Sequence, residues 1–177
     1  MEYRCGVLTG NEIINAVQKG KILISPFNEE NISCNSYNYR LGNKLIRIQN
    51  NIFDLKRKDT GEEIIINEEG TMIYPNECYL GTTFEKIGSN DYVGILTGRS
   101  SIGRKFITNH ITSNIIEQGF FGNITLEITV QKPTIIYPQI NFGQIMWLTT
   151  VGKAKYYTGE YQNQCEPTIS NIYKEMR

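Results

Sequence analysis

Residues 96 to 110 read LTGRSSIGRKFITNH, with Arg99 and Arg104 set around Ser100, Ser101 and Gly103. Arginine carries a permanent charge on a planar fork of donors. Serine hydroxyls and backbone amides add further short-range donors. Gathered at a turn, these groups suit an anion with several oxygens, such as a phosphate chain. The segment is not a Walker loop, because GxxxxGK[ST] is absent. A surface loop with solvated arginines accounts for the same residues as well, and both readings stand at this point.

A second stretch, FFGNITLEITV, has the alternation of a half-buried strand. It places Ile124, Leu126 and Ile128 on one face and Thr125, Glu127 and Thr129 on the other. Glu127 then faces either solvent, the ordinary outcome, or a polar cavity where a carboxylate suits general acid–base work. The third stretch is HITSNIIEQGFFG. Gly119 and Gly122 mark tight turns, Glu117 is a second candidate base, and Phe120 or Phe121 suits stacking on a sugar or base. A hairpin with aromatic core residues is the ordinary explanation of that stretch.

These side chains need elements to hold them. LTGNEIINAVQKGKI predicts one N-terminal helix, N-capped by Thr9 with Glu12 three residues on, striped by Ile13, Ala16 and Val17 and stopped at Gly20. The chain then turns to short β-branched and aromatic runs: YNYRLGNKLIRI, EEIIINE, GTMIYP, CYLGTTFEKI, YVGILTG, NITLEITVQ, PTIIYP and GQIMWLTTV. Gly, Pro, Asn and Asp punctuate them. Many short strands predict a mainly β sandwich or barrel. With 177 residues and no linker or repeat, one domain over 1–177 is expected. Its tail, from 155 to 177, is polar, tyrosine-rich and mobile by composition.

Composition narrows the function further. The 18 Lys and Arg balance the 18 Asp and Glu, so no bulk field draws in nucleic acid polymers or membranes, and any anion site must be local. The opening MEYRCGVLTG lacks a leader's apolar region, which predicts a cytoplasmic protein. The four cysteines form no CxxC pair and have no metal-ligand spacing. The single histidine, His110, removes most Ser-His-Asp schemes and multi-histidine metal sites.

Together the three stretches resemble the dCTP deaminase family of the dUTPase-like superfamily. The likeness is carried by GRSSIGR, HITSNIIEQGFFG and ITLEI, with Glu127 at the family's spacing from Ser100. ISPF, SYNYRLGNKL, FGQI at 142–145 and YQNQ at 161–164 extend it over nearly the whole chain. The closest likeness is to short, archaeal-like forms, some of which also release diphosphate. The resemblance implies a distorted jelly-roll or β-barrel subunit with a short N-terminal helix, assembled as a homotrimer with sites between subunits. It implies zinc-free hydrolytic deamination of dCTP to dUTP and ammonia. The H-x-E and PCxxC of zinc deaminases are indeed missing. Alternatives are a bifunctional enzyme that continues to dUMP and diphosphate, a dUTPase alone, or a nucleotide-binding protein without turnover.

The resemblance also assigns roles. Glu127 takes a proton from water, Ser100 and the carbonyl near Ser113 hold that water, and Arg104 orients the network. Arg99, Ser100, Ser101 and Gly103 grip the phosphates, with Mg²⁺ bound mainly through the triphosphate. Ser113, Glu117, Thr125, Leu126, Gln144, Tyr157 and Gln164 complete the nucleotide contacts, the last two from a tail that closes over the ligand. The chain departs from the family at four places: Asn38 and Glu117 stand for aspartates, Ser113 for an alanine, and Glu160 for a phosphate-binding lysine.

Overall fold

The computed structural model describes residues 5–176. MEYR, at the head of the segment on which the expectation of no leader rests, lies outside them. Among the described residues no helix is long and apolar enough to cross a membrane.

Helix α1 (Gly10–Gln18) begins where Thr9 accepts a hydrogen bond from the Glu12 amide at 3.4 Å, and Ile13 and Ala16 bury its stripe. It ends at Gln18, with Lys19 as the C-cap, where Gly20 is expected to stop it. Gly20, at φ +66°, turns the chain. The residues that follow form strand β1 (Ile22–Ser25), because their alternating burial fits a sheet.

Except for two strands of two residues each, the remaining strands overlap the predicted runs, several extending one or two residues beyond them. They are β2 (Tyr37–Arg40), β3 (Lys44–Ile48), β4 (Gly61–Ile65), β5 (Thr71–Ile73), β6 (Tyr79–Ser89) and β7 (Tyr92–Gly98). After the short helix α2 (Ser100–Gly103) come β8 (Ile107–Thr108), β9 (Ile115–Ile116), β10 (Phe121–Val130), β11 (Thr134–Ile136) and β12 (Asn141–Thr149). The two-residue strands β8 and β9 carry no periodicity of their own, and only pairing with longer neighbours defines them.

The fold is mainly β, as predicted, and all its strand pairs are antiparallel. One sheet runs β4-β3-β6-β10-β8 with β1 also on β6. A second runs β2-β12-β7-β9, and β5 and β11 form a small third. Trp147, Tyr37, Tyr39 and Phe142 from the second sheet join Leu126, Ile128, Ile87 and Leu45 from the first in one core.

One charge is sealed in that core region. Glu85 is fully buried, and its carboxylate accepts from Arg40 Nε at 2.7 Å, the Arg40 amide at 2.9 Å and the Tyr37 hydroxyl at 3.3 Å. Arg40 also lies over the Phe84 ring, 4.5 Å from its centre. A buried carboxylate is tolerated when paired and fully hydrogen-bonded in this way.

Candidate active site

Strand β10 is the floor of the site. Its pairing with β6 shifts register between Asn123 and Thr125. The Asn123 side chain fills that irregularity, donating from Nδ2 to the Thr83 carbonyl at 2.7 Å and the Phe84 carbonyl at 3.2 Å. Beyond it the predicted alternation holds. Ile124, Leu126 and Ile128 enter the core, while Thr125, Glu127 and Thr129 are half-exposed on the opposite face.

Thr125, Glu127 and Thr129 lie in a trough of about 860 Å³ that is also lined by Ser113, Glu117, Tyr157 and Gln164. That volume suits a nucleotide-sized ligand. The Glu127 side chain is 38% exposed and faces it. Its Oε2 accepts from the Ile111 amide at 3.0 Å and lies 3.2 Å from His110 Nδ1. Burial, and next the charge on Glu127, hold the Tyr39 hydroxyl far above the usual phenol range. His110, which the sequence pattern uses only to exclude other chemistries, is thus a site residue. No signal in the sequence reveals it, because strand pairing puts it beside Glu127.

The far end of the trough is made by the tail. The Tyr157 amide donates to the Gln118 carbonyl at 2.8 Å, and the Asn163 amide to the Phe121 carbonyl at 3.0 Å. Gln162 receives the Phe121 amide at 3.0 Å and donates to the Gly119 carbonyl at 2.7 Å. This approach requires glycine at two points. A Cβ on Gly119, at φ +90°, would meet Tyr156 and Tyr157, and one on Gly122 would meet the Gln164 backbone. Tyr157 meets Phe120 edge-on at 5.7 Å. Gln164 Nε2 donates to the Asn123 carbonyl at 2.5 Å and Thr125 Oγ1 at 3.1 Å. Its Oε1 is buried without a hydrogen-bond partner, an acceptor that a ligand N–H or O–H can use. Glu160 accepts from Lys174 Nζ at 2.6 Å and Asn171 Nδ2 at 2.7 Å, so its charge is balanced from within the tail.

The arginine and serine segment lies elsewhere. Arg99 precedes α2 and Arg104 follows it, and none of Arg99, Ser100, Ser101, Gly103 and Arg104 lines the trough. Thr108 sits opposite Thr129, Ile107 opposite Val130, and the Gln131 amide donates to the Phe106 carbonyl at 3.2 Å. This pairing joins the segment to the Thr129–Val130 end of β10, and within one chain no residue from Arg99 to Arg104 lines the trough that holds Glu127. Gln144 lies outside the trough as well, on β12 opposite Asn38 and Thr97, where its Oε1 accepts from Ser36 Oγ at 3.0 Å. Leu126 is fully buried, and its side chain belongs to the core.

A family model described as dCTP deaminase-like matches residues 7–150. A protein named dCTP deaminase, dUMP-forming, from Hathewaya histolytica is 39% identical over 170 residues, covering 96% of this chain and 98% of that protein. Proteins of the same name from Clostridium acetobutylicum and Cytophaga hutchinsonii are each 38% identical over 170 residues, with the same coverage. Among solved structures, a 2'-deoxycytidine 5'-triphosphate deaminase from Agrobacterium tumefaciens superposes with a TM-score of 0.68 at 18% identity. The match covers 84% of this chain and 49% of that one, so this chain spans about half that structure's length and shares its fold.

Proposed function

This chain belongs to the dCTP deaminase-like family, and we propose that it converts dCTP to dUMP, with release of ammonia and diphosphate. The observation that carries the reading is Glu127, anchored by the Ile111 amide beside His110 and open to a nucleotide-sized trough. The dUMP-forming relatives favour the two-step reaction over a reaction that stops at dUTP.

In the first step a water oxygen attacks C4 of the cytosine ring while Glu127 takes its proton. That proton passes to N3, and a second moves from the new hydroxyl to the exocyclic amine. The C4–N bond then breaks, ammonia leaves and a C4 carbonyl remains. In the second step a water, deprotonated by Glu117, attacks the α-phosphorus. The bond to the bridging oxygen breaks and diphosphate leaves. The two steps together consume two waters.

The phosphate-gripping groups Arg99, Ser100, Ser101, Gly103 and Arg104 reach this trough from a second copy of the chain, in a homotrimer. That none of these groups lines the trough of its own chain supports the arrangement, since each chain then carries the two halves of the site at separate places. Thr125, Ser113, Tyr157 and Gln164 position the nucleoside. Gln144 acts beside the arginines on its own chain, with Arg99 Nη1 donating to the Asn141 carbonyl at 3.5 Å nearby.

Among the described residues no three His, Cys, Asp or Glu side chains converge on a metal position. In this reading Mg²⁺, a hard cation that takes phosphate oxygens, is held mainly through the triphosphate itself. It would neutralise charge on the phosphates, while the arginines orient them.

The test is product analysis. Incubation with dCTP and Mg²⁺ should yield ammonia, dUMP and diphosphate in equal amounts. Accumulation of dUTP would reduce the reading to deamination alone, and no ammonia at all would overturn it.

A further inference from the structure

Two protein nitrogens approach the same oxygen of Glu127, the Ile111 amide as a hydrogen-bond donor and His110 Nδ1 at ion-pair distance. Oε2 lies 3.0 Å from the Ile111 amide and 3.2 Å from His110 Nδ1. Among the described residues, Oε1 makes no hydrogen bond. The carboxylate is therefore divided into an anchored oxygen and one left for the trough. An ionised carboxylate only accepts, so a hydrogen bond across this 3.2 Å contact requires the proton on Nδ1, whether the imidazole is neutral or charged.

The histidine is itself fixed from behind. Its side chain is only 13% exposed. The preceding Asn109 is buried and donates from Nδ2 to the Tyr39 hydroxyl at 2.8 Å and the Phe142 carbonyl at 3.3 Å. This ties the 109–111 segment to the second sheet. Among the described residues, Glu127 is the only charged partner His110 has. The backbone donor alone leaves the carboxylate free to swing about its terminal torsion, which is soft. A second donor at a different angle fixes its plane.

We infer that His110 is a positioning residue for Glu127: as an Nδ1–H tautomer it locks Oε2 so that Oε1 is presented to the reacting water. The inference rests on Glu127 being the base of the proposed deamination, but its geometric half can be read without turnover. Because the chain has one histidine, its imidazole nitrogens give a single unambiguous set of long-range ¹H–¹⁵N NMR correlations. The neutral ring should show a protonated Nδ1 and a bare Nε2, and this pattern should change in Glu127→Ala. A bare Nδ1 in the wild-type protein would overturn the assignment, whatever the enzyme does with dCTP.

Kinetics test the catalytic half. His110→Ala should lower kcat for ammonia release roughly 100-fold, the scale of ångström misplacement of a reacting group, with KM for dCTP nearly unchanged. His110→Asn should restore most of the loss, because asparagine Nδ2 is the same number of bonds from Cα as histidine Nδ1. An unchanged kcat in His110→Ala would refute the positioning role, as would a His110→Asn variant as impaired as alanine. Absence of dCTP turnover in the wild type would instead refute the proposed function and leave the NMR result to decide the geometry.

Discussion

If each site takes Glu127 from one chain and Arg104 from another, two dead variants should repair each other. Glu127→Gln and Arg104→Ala are each expected to abolish ammonia release from dCTP. Co-expressed in equal amounts and purified as mixed assemblies, they can form intact sites wherever an Arg104→Ala chain supplies its Glu127 next to a Glu127→Gln chain supplying its Arg104. In a closed ring of identical interfaces, random mixing makes about one site in four intact. The mixture should therefore recover about a quarter of wild-type activity per site.

The physical basis is the lining of the trough: Glu127 faces it, whereas no residue from Arg99 to Arg104 of the same chain does. A converse mixture sharpens the test. Chains carrying both substitutions, mixed equally with wild type, leave about one site in four intact if sites lie between chains and about one in two if they lie within one. Ammonia release by a coupled assay reads both ratios. Parental activity in the first mixture and half activity in the second would refute the shared site.

Other outcomes follow from the same contacts. Glu127→Gln keeps a carbonyl acceptor for Ile111 and His110 but not a base. Its kcat for ammonia release should fall by about 10²–10⁴, while its urea midpoint stays close to wild type; a large stability loss would mean the side chain serves the fold. Arg40→Met leaves the Glu85 charge buried beside only the Arg40 amide and Tyr37, which should cost about 3–5 kcal/mol in urea unfolding. A loss below about 1 kcal/mol would show a pair screened like a surface one. Burial and the nearby Glu127 raise the Tyr39 pKa above its usual 10.0, so the folded state keeps a proton that the unfolded state gives up. That stabilisation is complete below about pH 10 and is lost as pH rises toward the folded value. Tyr39→Phe should flatten the alkaline part of the stability curve, measured by circular dichroism at a series of pH values. An unchanged slope would contradict the burial argument.

The sequence alone determined the parts of this protein that depend on local pattern. Strand alternation placed Leu126 inward and Glu127 outward, and the same pattern located β2 to β7 and β10 to β12. The Thr9 cap, the Ile13–Ala16 stripe and Gly20 marked the helix, whereas β1 was not legible because ILIS joins β6 only through long-range pairing. Residue types in GRSSIGR and ITLEI carried the family likeness, since a phosphate clamp and a base require those groups wherever they sit.

What tertiary structure decided is which groups meet. Ser113, Glu117, Thr125, Tyr157 and Gln164 converge around Glu127, whereas Gln144 and the Arg99–Arg104 segment stand apart from it. His110 becomes a partner of Glu127 only through the β8–β10 register, which no local periodicity encodes. Burial and proximity arise from contacts distant in sequence, and for this chain they assign the roles that composition leaves open.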